Sequence, residues 1–409
     1  MRPGLVVGLD IGSTKTCAVI AEVGGDARRG PLAKVLGVGQ ARTGGIRRDV
    51  VTDIEETTQS IRKAMKEAEL MAGVSVDRVF IGVSGEHIDA AVSTGVVAVG
   101  GDEIKAPDIQ RVHEVARAVV VPSDRELLHV LPQEYTVDHR KGIHDPVGMV
   151  GTRLEAEVYM VTSSTVAGQT LRKAADRAGY KVEAFVHEEL AASLAVLSDD
   201  EKEVGVALVD LGGGSTEVAG FVDGKARHLA SIPWGGAAVT NDLTKGLQIS
   251  FAEAERTKER YGVAFAQLVD PRESVELPGP AAGQVRSVQR ELIAHIIEQR
   301  LDEIMGLAAR ELEQSLDPRK LGAGVVLVGG GAVMNGVVDV AQHVFGMPVR
   351  IGTPGDRLTG LADSVRKPRF TTAVGLTLYG AQRRLRDGAV GARGEGALER
   401  MVAWLKEFF

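Results

Sequence analysis

A single cysteine, Cys17, removes an internal disulfide framework and any thiolate zinc site from consideration. It sits in the apolar run Cys17-Ala18-Val19-Ile20, where a small buried strand residue is expected rather than a reactive thiol. Positive charge is not in excess: the net charge is −7, so no basic face for nucleic acid is expected. No run of about 18 apolar residues occurs, so no helix is expected to span a membrane. The N-terminal residues lack a basic region followed by a long apolar stretch, so no signal peptide is expected and the chain is read as cytoplasmic. Nothing reads G-x-x-x-x-G-K-[ST], which removes the Walker A type of nucleotide site. Histidines do not recur at metal-ligand spacing, and no Ser–His–Asp pattern stands out.

Glycine, in contrast, is abundant: 50 of 409 residues, against only 4% aromatics. With 44% hydrophobic and 25% charged residues, this suits a globular α/β protein with many tight strand-to-helix turns. The chain is long enough for two or more domains with separate cores.

Internal repetition is the most informative feature. Residues 5–15 read LVVGLDIGSTK and lead into a second apolar run at 16–23. Residues 206–216 read VALVDLGGGST and lead into another at 217–222. Each copy predicts a strand, an Asp-x-Gly turn with hydroxyls, a returning strand, and then a third strand, at 33–38 and 225–232 respectively. The repeat is too widely spaced for a solenoid and predicts two similar domains. Between the copies, amphipathic helices are predicted at 54–71 and 165–178, the latter ended by Gly179. Strands are predicted at 78–83 and 155–162. An inserted subdomain is expected near 84–159, with a weakly periodic middle at 122–145. In the second half, helices are predicted at 250–260 and 287–316, separated by a Pro/Gly-rich patch at 276–283.

Three glycine-bearing turns carry the chemistry. An Asp at a strand end can aim its carboxylate at hydrated Mg²⁺, while neighbouring Gly and Ser/Thr offer N–H and O–H donors to a phosphate chain. One phosphate loop is assigned to Asp10, Gly12, Ser13, Thr14 and Lys15, and its mirror to Asp210, Gly212, Gly213, Gly214 and Ser215. Asp10 and Asp210 are the Mg²⁺ residues, expected to act through water. The third turn, Gly329, Gly330, Gly331 and Ala332 with Asn335 beyond, follows the apolar run 323–328 and is expected to open a helix from Met334.

This trio resembles the actin/Hsp70/hexokinase superfamily, in which two ribonuclease H-like domains hold ATP and Mg²⁺ in the cleft between them. The resemblance implies that residues 187–195, HEELAASLA, form the helix connecting the two lobes, with Glu188 placing metal-bound water and Asp210 assisting if hydrolysis occurs. Small residues Ala191, Ala192, Ser193 and Ala195 would let two helices cross closely there. Residues 254–258, AERTK, resemble a helix whose Glu255 and Lys258 approach ribose and adenine; an ordinary surface pair explains them equally well. Within the superfamily, residues 121–135 (VPSDRELLHVLPQEY) and 142–149 (GIHDPVGM) resemble the inserted subdomain of the FtsA family of bacterial cell-division actin homologues. That resemblance implies first-domain segments 1–83 and 160–197, the inserted subdomain 84–159, second-domain segments 198–233 and 306–386, and subdomain 234–305 as the site for the FtsZ C-terminal peptide. It also implies filaments of the chain itself, recruitment of other division proteins, and at most weak ATPase activity.

The tail adds a physical argument. Residues 387–396 contain four glycines and read as a flexible linker. Beyond it, Leu398, Met401, Val402, Trp404, Leu405, Phe408 and Phe409 fill an arc of roughly 160° on a helical wheel. Trp and Phe on such a face favour a lipid interface, so 397–409 is read as a helix targeting the cytoplasmic face of the inner membrane. Full burial of these side chains would give on the order of 10–20 kcal/mol. Partial insertion and ordering should remove more than half, leaving roughly micromolar binding. Several tails on one filament would raise the avidity. Two other readings share the fold: a pilus-assembly scaffold, and a sugar kinase or phosphatase.

Overall fold

The computed structural model describes residues 4–26, 30–279 and 284–392. The linker after residue 392 and the membrane-targeting segment 397–409, with Leu398 to Phe409, lie outside the described residues.

The repeat is realised as two sheets of matching order. In the first sheet, Leu5–Ile11, Lys15–Asp26 and Gly30–Arg42 form an antiparallel meander. Arg78–Val83 and then Lys181–His187 add in parallel beside Leu5–Ile11. In the second sheet, Val206–Leu211, Thr216–Val222 and Lys225–Ile232 form the meander, and Val325–Val328 and Val349–Ile351 add in parallel. The first leading strand is buried end to end and the second everywhere but at Asp210, because both faces of each sheet are covered, which is why they read as apolar runs.

On one face of the first sheet lie helices Ile54–Ala72 and Thr165–Ala178, closing a core around Val7, Leu9, Ile61 and Met65. Helix Ile54–Ala72 begins where the Asp53 carboxylate accepts from the Glu55 and Glu56 N–H groups and ends at left-handed Gly73. The opposite face is covered by the final helix, Thr371–Ala392, through Ala373, Val374 and Leu376. That helix crosses Glu188–Val196 so closely that a Cβ on Gly375 would stand 2.0 Å from the Ala191 carbonyl oxygen. The small residues expected to permit a close crossing do so, and Gly375 is the partner that the sequence did not single out.

The second lobe packs helices Gly236–Leu247, Arg290–Ser315 and Val337–Phe345 on one face of its sheet in a single core. The inserted subdomain is a four-stranded antiparallel sheet, in order Ile88–Ala98, Arg153–Ser164, Arg125–Val137, Arg140–Ile143, backed by helix Ala106–Arg117.

Several boundaries differ from the sequence reading. Residues 358–385 were placed in the second domain, yet Leu358–Gly360 pairs with Gly30–Arg42, and Val365, Phe370 and Ala373 are buried in the first domain's core. The chain crosses back between lobes, which no local pattern announces. The inserted sheet extends past 159, because Arg153–Ser164 is one continuous strand. The stretch 122–145 contains the 13-residue strand Arg125–Val137, whose alternation is broken by bulges opposite Ala156/Val158 and Val161/Thr162. Residues 285–289, the start of the expected 287–316 helix, form the second strand of a hairpin with Ser274–Pro278. The boundary drawn at 305 falls inside helix Arg290–Ser315. The final helix continues through Asp387 to Ala392, into the segment read as linker; glycine weakens a helix by only about 1 kcal/mol and no proline stops it.

Candidate functional site

Each leading strand delivers an aspartate to its end, and the two ends face one another. Asp10 is buried, and Lys15, the first residue of the returning strand, reaches back to it at 3.3 Å. The Lys15 ammonium also donates to the Arg369 carbonyl and lies 5.4 Å from the Phe370 ring centre. Asp210 stands at the matching place in the second lobe, with the Thr372 hydroxyl 3.5 Å away. The loops themselves touch. A Cβ on Gly213 would meet Thr14 at 2.4 Å, and one on Gly214 would meet the Ser13 oxygen at 2.4 Å. Only glycine backbone lets the loops close to this distance.

A residue that the sequence reading missed joins them. The Asp49 carboxylate accepts from the Ser13 hydroxyl at 3.1 Å and from the Ser215 hydroxyl at 2.5 Å, one donor from each lobe. It hangs from a two-residue turn between Ile46–Arg47 and Val50–Val51, in which Arg48 (φ 46°) and Asp49 (φ 62°) both adopt left-handed backbone. No sequence signal marks it, since Arg-Asp is not the pair such a turn favours.

The cleft is acidic beyond its two aspartates. Burial, reinforced by Glu189 and Asp10, pushes the Asp210 carboxyl up to about 7. Burial likewise raises Asp10, against the opposing pull of Lys15. Glu188 is raised well above the usual carboxylate range by burial and by Asp10, Glu189 and Asp49, while its oxygen accepts from the Ser84 hydroxyl at 2.7 Å. Glu217 is raised by burial and by Glu189 and Asp49. Carboxylates crowded without matching cations are the setting in which a divalent cation stabilises the charged forms. Among the described residues no group of three or more His, Cys, Asp or Glu side chains could hold a metal directly. The oxygen donors of Asp10 and Asp210 are of the kind that a hydrated Mg²⁺ takes.

Glu255 and Lys258, from helix Phe251–Tyr261, are not a free surface pair. The Lys258 ammonium contacts Glu255 at 2.8 Å and donates to the Thr240 hydroxyl at 2.8 Å and the Gly236 carbonyl at 3.0 Å. Gly236 N–H in turn donates to the Gly212 carbonyl at 2.9 Å, so this network is fastened to the second phosphate loop. The third turn lies against the same loop: a Cβ on left-handed Gly329 would stand 2.2 Å from an Asp210 oxygen, and Gly331 packs on Leu211. Gly330 has open space in front of it, Ala332 is buried in the lobe's core, and Asn335 is exposed. The helix expected from Met334 starts three residues later, at Val337, after a 3₁₀ turn at Gly331–Val333. Gly336, left-handed at φ 81° and tight against Phe265, delays it.

Comparisons with known proteins accord with this architecture. The family model "Cell division protein FtsA" matches residues 207–375, and "SHS2 domain inserted in FTSA" matches residues 85–162. The chain is 39% identical over 414 residues to the cell division protein FtsA of Pseudomonas aeruginosa, covering 99% of this chain and 98% of that protein. It is 36% identical over 417 residues to the Escherichia coli K12 protein of that name, with 99% and 98% covered. For the Bacillus subtilis protein the values are 37% over 377 residues, with 92% and 83% covered. Among solved structures, a PilM–PilN type IV pilus biogenesis complex superposes with TM-score 0.65 at 17% identity, over 92% of this chain and 98% of that one. MreB5 of Spiroplasma citri bound to ADP superposes with TM-score 0.57 at 12% identity, over 94% and 98%. These two likenesses show the actin-like fold alone.

Proposed function

The chain belongs to the FtsA family of cell division proteins, and on that premise we propose that it binds ATP with Mg²⁺ between its lobes, assembles with itself, and ties FtsZ to the cytoplasmic face of the inner membrane. The observation that carries the nucleotide reading is the convergence of two glycine loops, each with a strand-end aspartate, on one cleft. Lys15 and the Gly12–Thr14 and Gly212–Ser215 backbones supply donors for a phosphate chain. Gly330 leaves room for a flat base or ribose, and Glu255 and Lys258, fastened to the second loop through Gly236, are the candidate polar partners. Mg²⁺, when bound, would offset the charge that Asp10, Asp210 and the phosphates bring together. Glu188, held by Ser84, would orient water, which supports at most slow hydrolysis.

The pilus-scaffold and kinase readings are not favoured, since relatives at 36–39% identity over nearly the full chain are cell division proteins. The partner reading assigns the FtsZ C-terminal peptide to residues 234–305, and membrane attachment to 397–409. Co-sedimentation tests it. The full chain with Mg·ATP should pellet with anionic vesicles and bring an FtsZ C-terminal peptide with it, whereas a chain ending at Gly396 should bind peptide but stay in solution. Equal pelleting by both chains would defeat the anchor, and absence of peptide binding at high micromolar concentration would defeat the partner.

A further inference from the structure

Asp49 stands where the two phosphate loops meet, and it does so at a conformational cost. Two successive non-glycine residues, Arg48 and Asp49, are held in left-handed backbone, which strains both. Glycine at 49 would avoid its share, yet the chain keeps a carboxylate there, held by Ser13 and Ser215. Those hydroxyls, one from each lobe, are the donors that a phosphate bridging the lobes would take. A carboxylate and a phosphate cannot share them, because both are anionic acceptors.

The surroundings define which way the turn can move. Towards the second glycine loop there is no slack: a Cβ on Gly214 would stand 3.2 Å from the Arg48 nitrogen. Beside the turn lies a cavity of about 270 Å³, walled by Ile46, Asp49 and Val50, by Ser84 and Glu188 of the cleft, and by Val166, Ala167 and Thr170 of helix Thr165–Ala178. Glu255, Lys258 and Gly330 all belong to the second lobe, whereas Asp49 hangs from the first.

We propose that Asp49 sets the phosphate-chain length the cleft accepts: its carboxylate stands in for a terminal phosphate between Ser13 and Ser215, so a nucleoside diphosphate binds with the turn in place and a triphosphate binds only after the turn has moved into the adjoining cavity. This rests on the cleft being a nucleotide site. It makes Asp49 a specificity-determining residue, and it passes the presence of the last phosphate to helix Thr165–Ala178, which forms the cavity's far wall.

The test is equilibrium titration of the full chain with Mg·ATP and with Mg·ADP, for the unaltered protein, Asp49→Gly and Asp49→Asn. Asp49→Gly removes the carboxylate and relieves the left-handed strain, so folding is not at risk. It should tighten ATP by about tenfold or more and ADP by less than about threefold. Asp49→Asn tolerates the same backbone and drops the charge, so it should shift the ATP-to-ADP affinity ratio in the same direction by less. A ratio unchanged in both variants, or an equal gain for both nucleotides, would overturn the assignment of Asp49. No binding of either nucleotide by any of the three proteins would instead overturn the nucleotide reading of the cleft, and this proposal with it.

Discussion

The two glycine loops are copies in backbone and unlike in charge. In the first, Asp10 has a cation of its own, Lys15 at 3.3 Å. In the second, Ser215 stands where Lys15 does in the first, and among the described residues the side-chain hydrogen bond to Asp210 comes from the Thr372 hydroxyl, at the limit of hydrogen-bond distance. The steric roles are divided as well. A Cβ on Gly12 would be 3.4 Å from the Lys15 carbonyl oxygen, inside its own loop, whereas Cβ atoms on Gly213 and Gly214 would collide with the opposite loop. Duplication has kept the strand-turn-strand frame, while the first loop supplies charge balance and the second supplies close approach. The second loop is thus the one whose charge calls for a divalent cation.

The sharpest way to break this comparison is steric. Gly214→Val should weaken Mg·ATP by about a hundredfold or more, roughly 2.7 kcal/mol, by driving a side chain into Ser13 and holding the lobes apart. Gly12→Ala should cost less than about threefold. Nucleotide titration reads both, with circular dichroism as the check that each variant is folded. Equal losses would mean that the loops share the closing role.

Charge sharpens it next, through pH. The Asp210 carboxyl, raised from an ordinary value near 3.8 to about 7, holds a proton in the folded state that the unfolded chain has released. Between those two values the folded state binds more protons, so stability is full below pH 4 and is lost as pH rises through about 7. In EDTA the protein should lose about 1–2 kcal/mol between pH 5 and 8, less than the full shift implies because the group is partly solvated. Asp210→Asn should reduce that slope, measured by urea unfolding at each pH, and Asp10→Asn should reduce it less, since Lys15 opposes the rise of Asp10. A slope unchanged by Asp210→Asn would place the uncompensated charge elsewhere.

Much of this was legible in the chain. The paired strands and aspartates were readable because strands buried on both faces become continuous apolar runs, and because a phosphate-grade turn needs glycine beside hydroxyls. The helix at Thr165–Ala178 matched to the residue, since Ser164 caps its start and left-handed Gly179 its end. What escaped was set by contacts distant in sequence. Asp49 reaches Ser215 across 166 positions, and Thr372 reaches Asp210 across 162. The return of residues 358–385 to the first domain depends on Phe370 and Val365 fitting beside Val6 and Val19, a match invisible in local periodicity. The bulged strand Arg125–Val137 hid because its alternation slips twice against Arg153–Ser164.

Thr372 is the smallest lever and the most discriminating. Among the described residues its hydroxyl is the side-chain hydrogen-bond donor to Asp210, and at 3.5 Å it is a weak one. Thr372→Val keeps the shape of a residue that is nearly buried at the first turn of the final helix, so packing is preserved while the donor is lost. The expected cost in unfolding free energy is below about 1 kcal/mol, and the Mg²⁺ dependence of nucleotide binding should stay within about twofold. Were Thr372→Val to weaken Mg·ATP as much as removal of Lys15, the second loop would have a polar partner as strong as the first loop's cation. The asymmetry would then lie in the identity of the partners rather than in their strength, and Asp210 would have less need of the metal than Asp10.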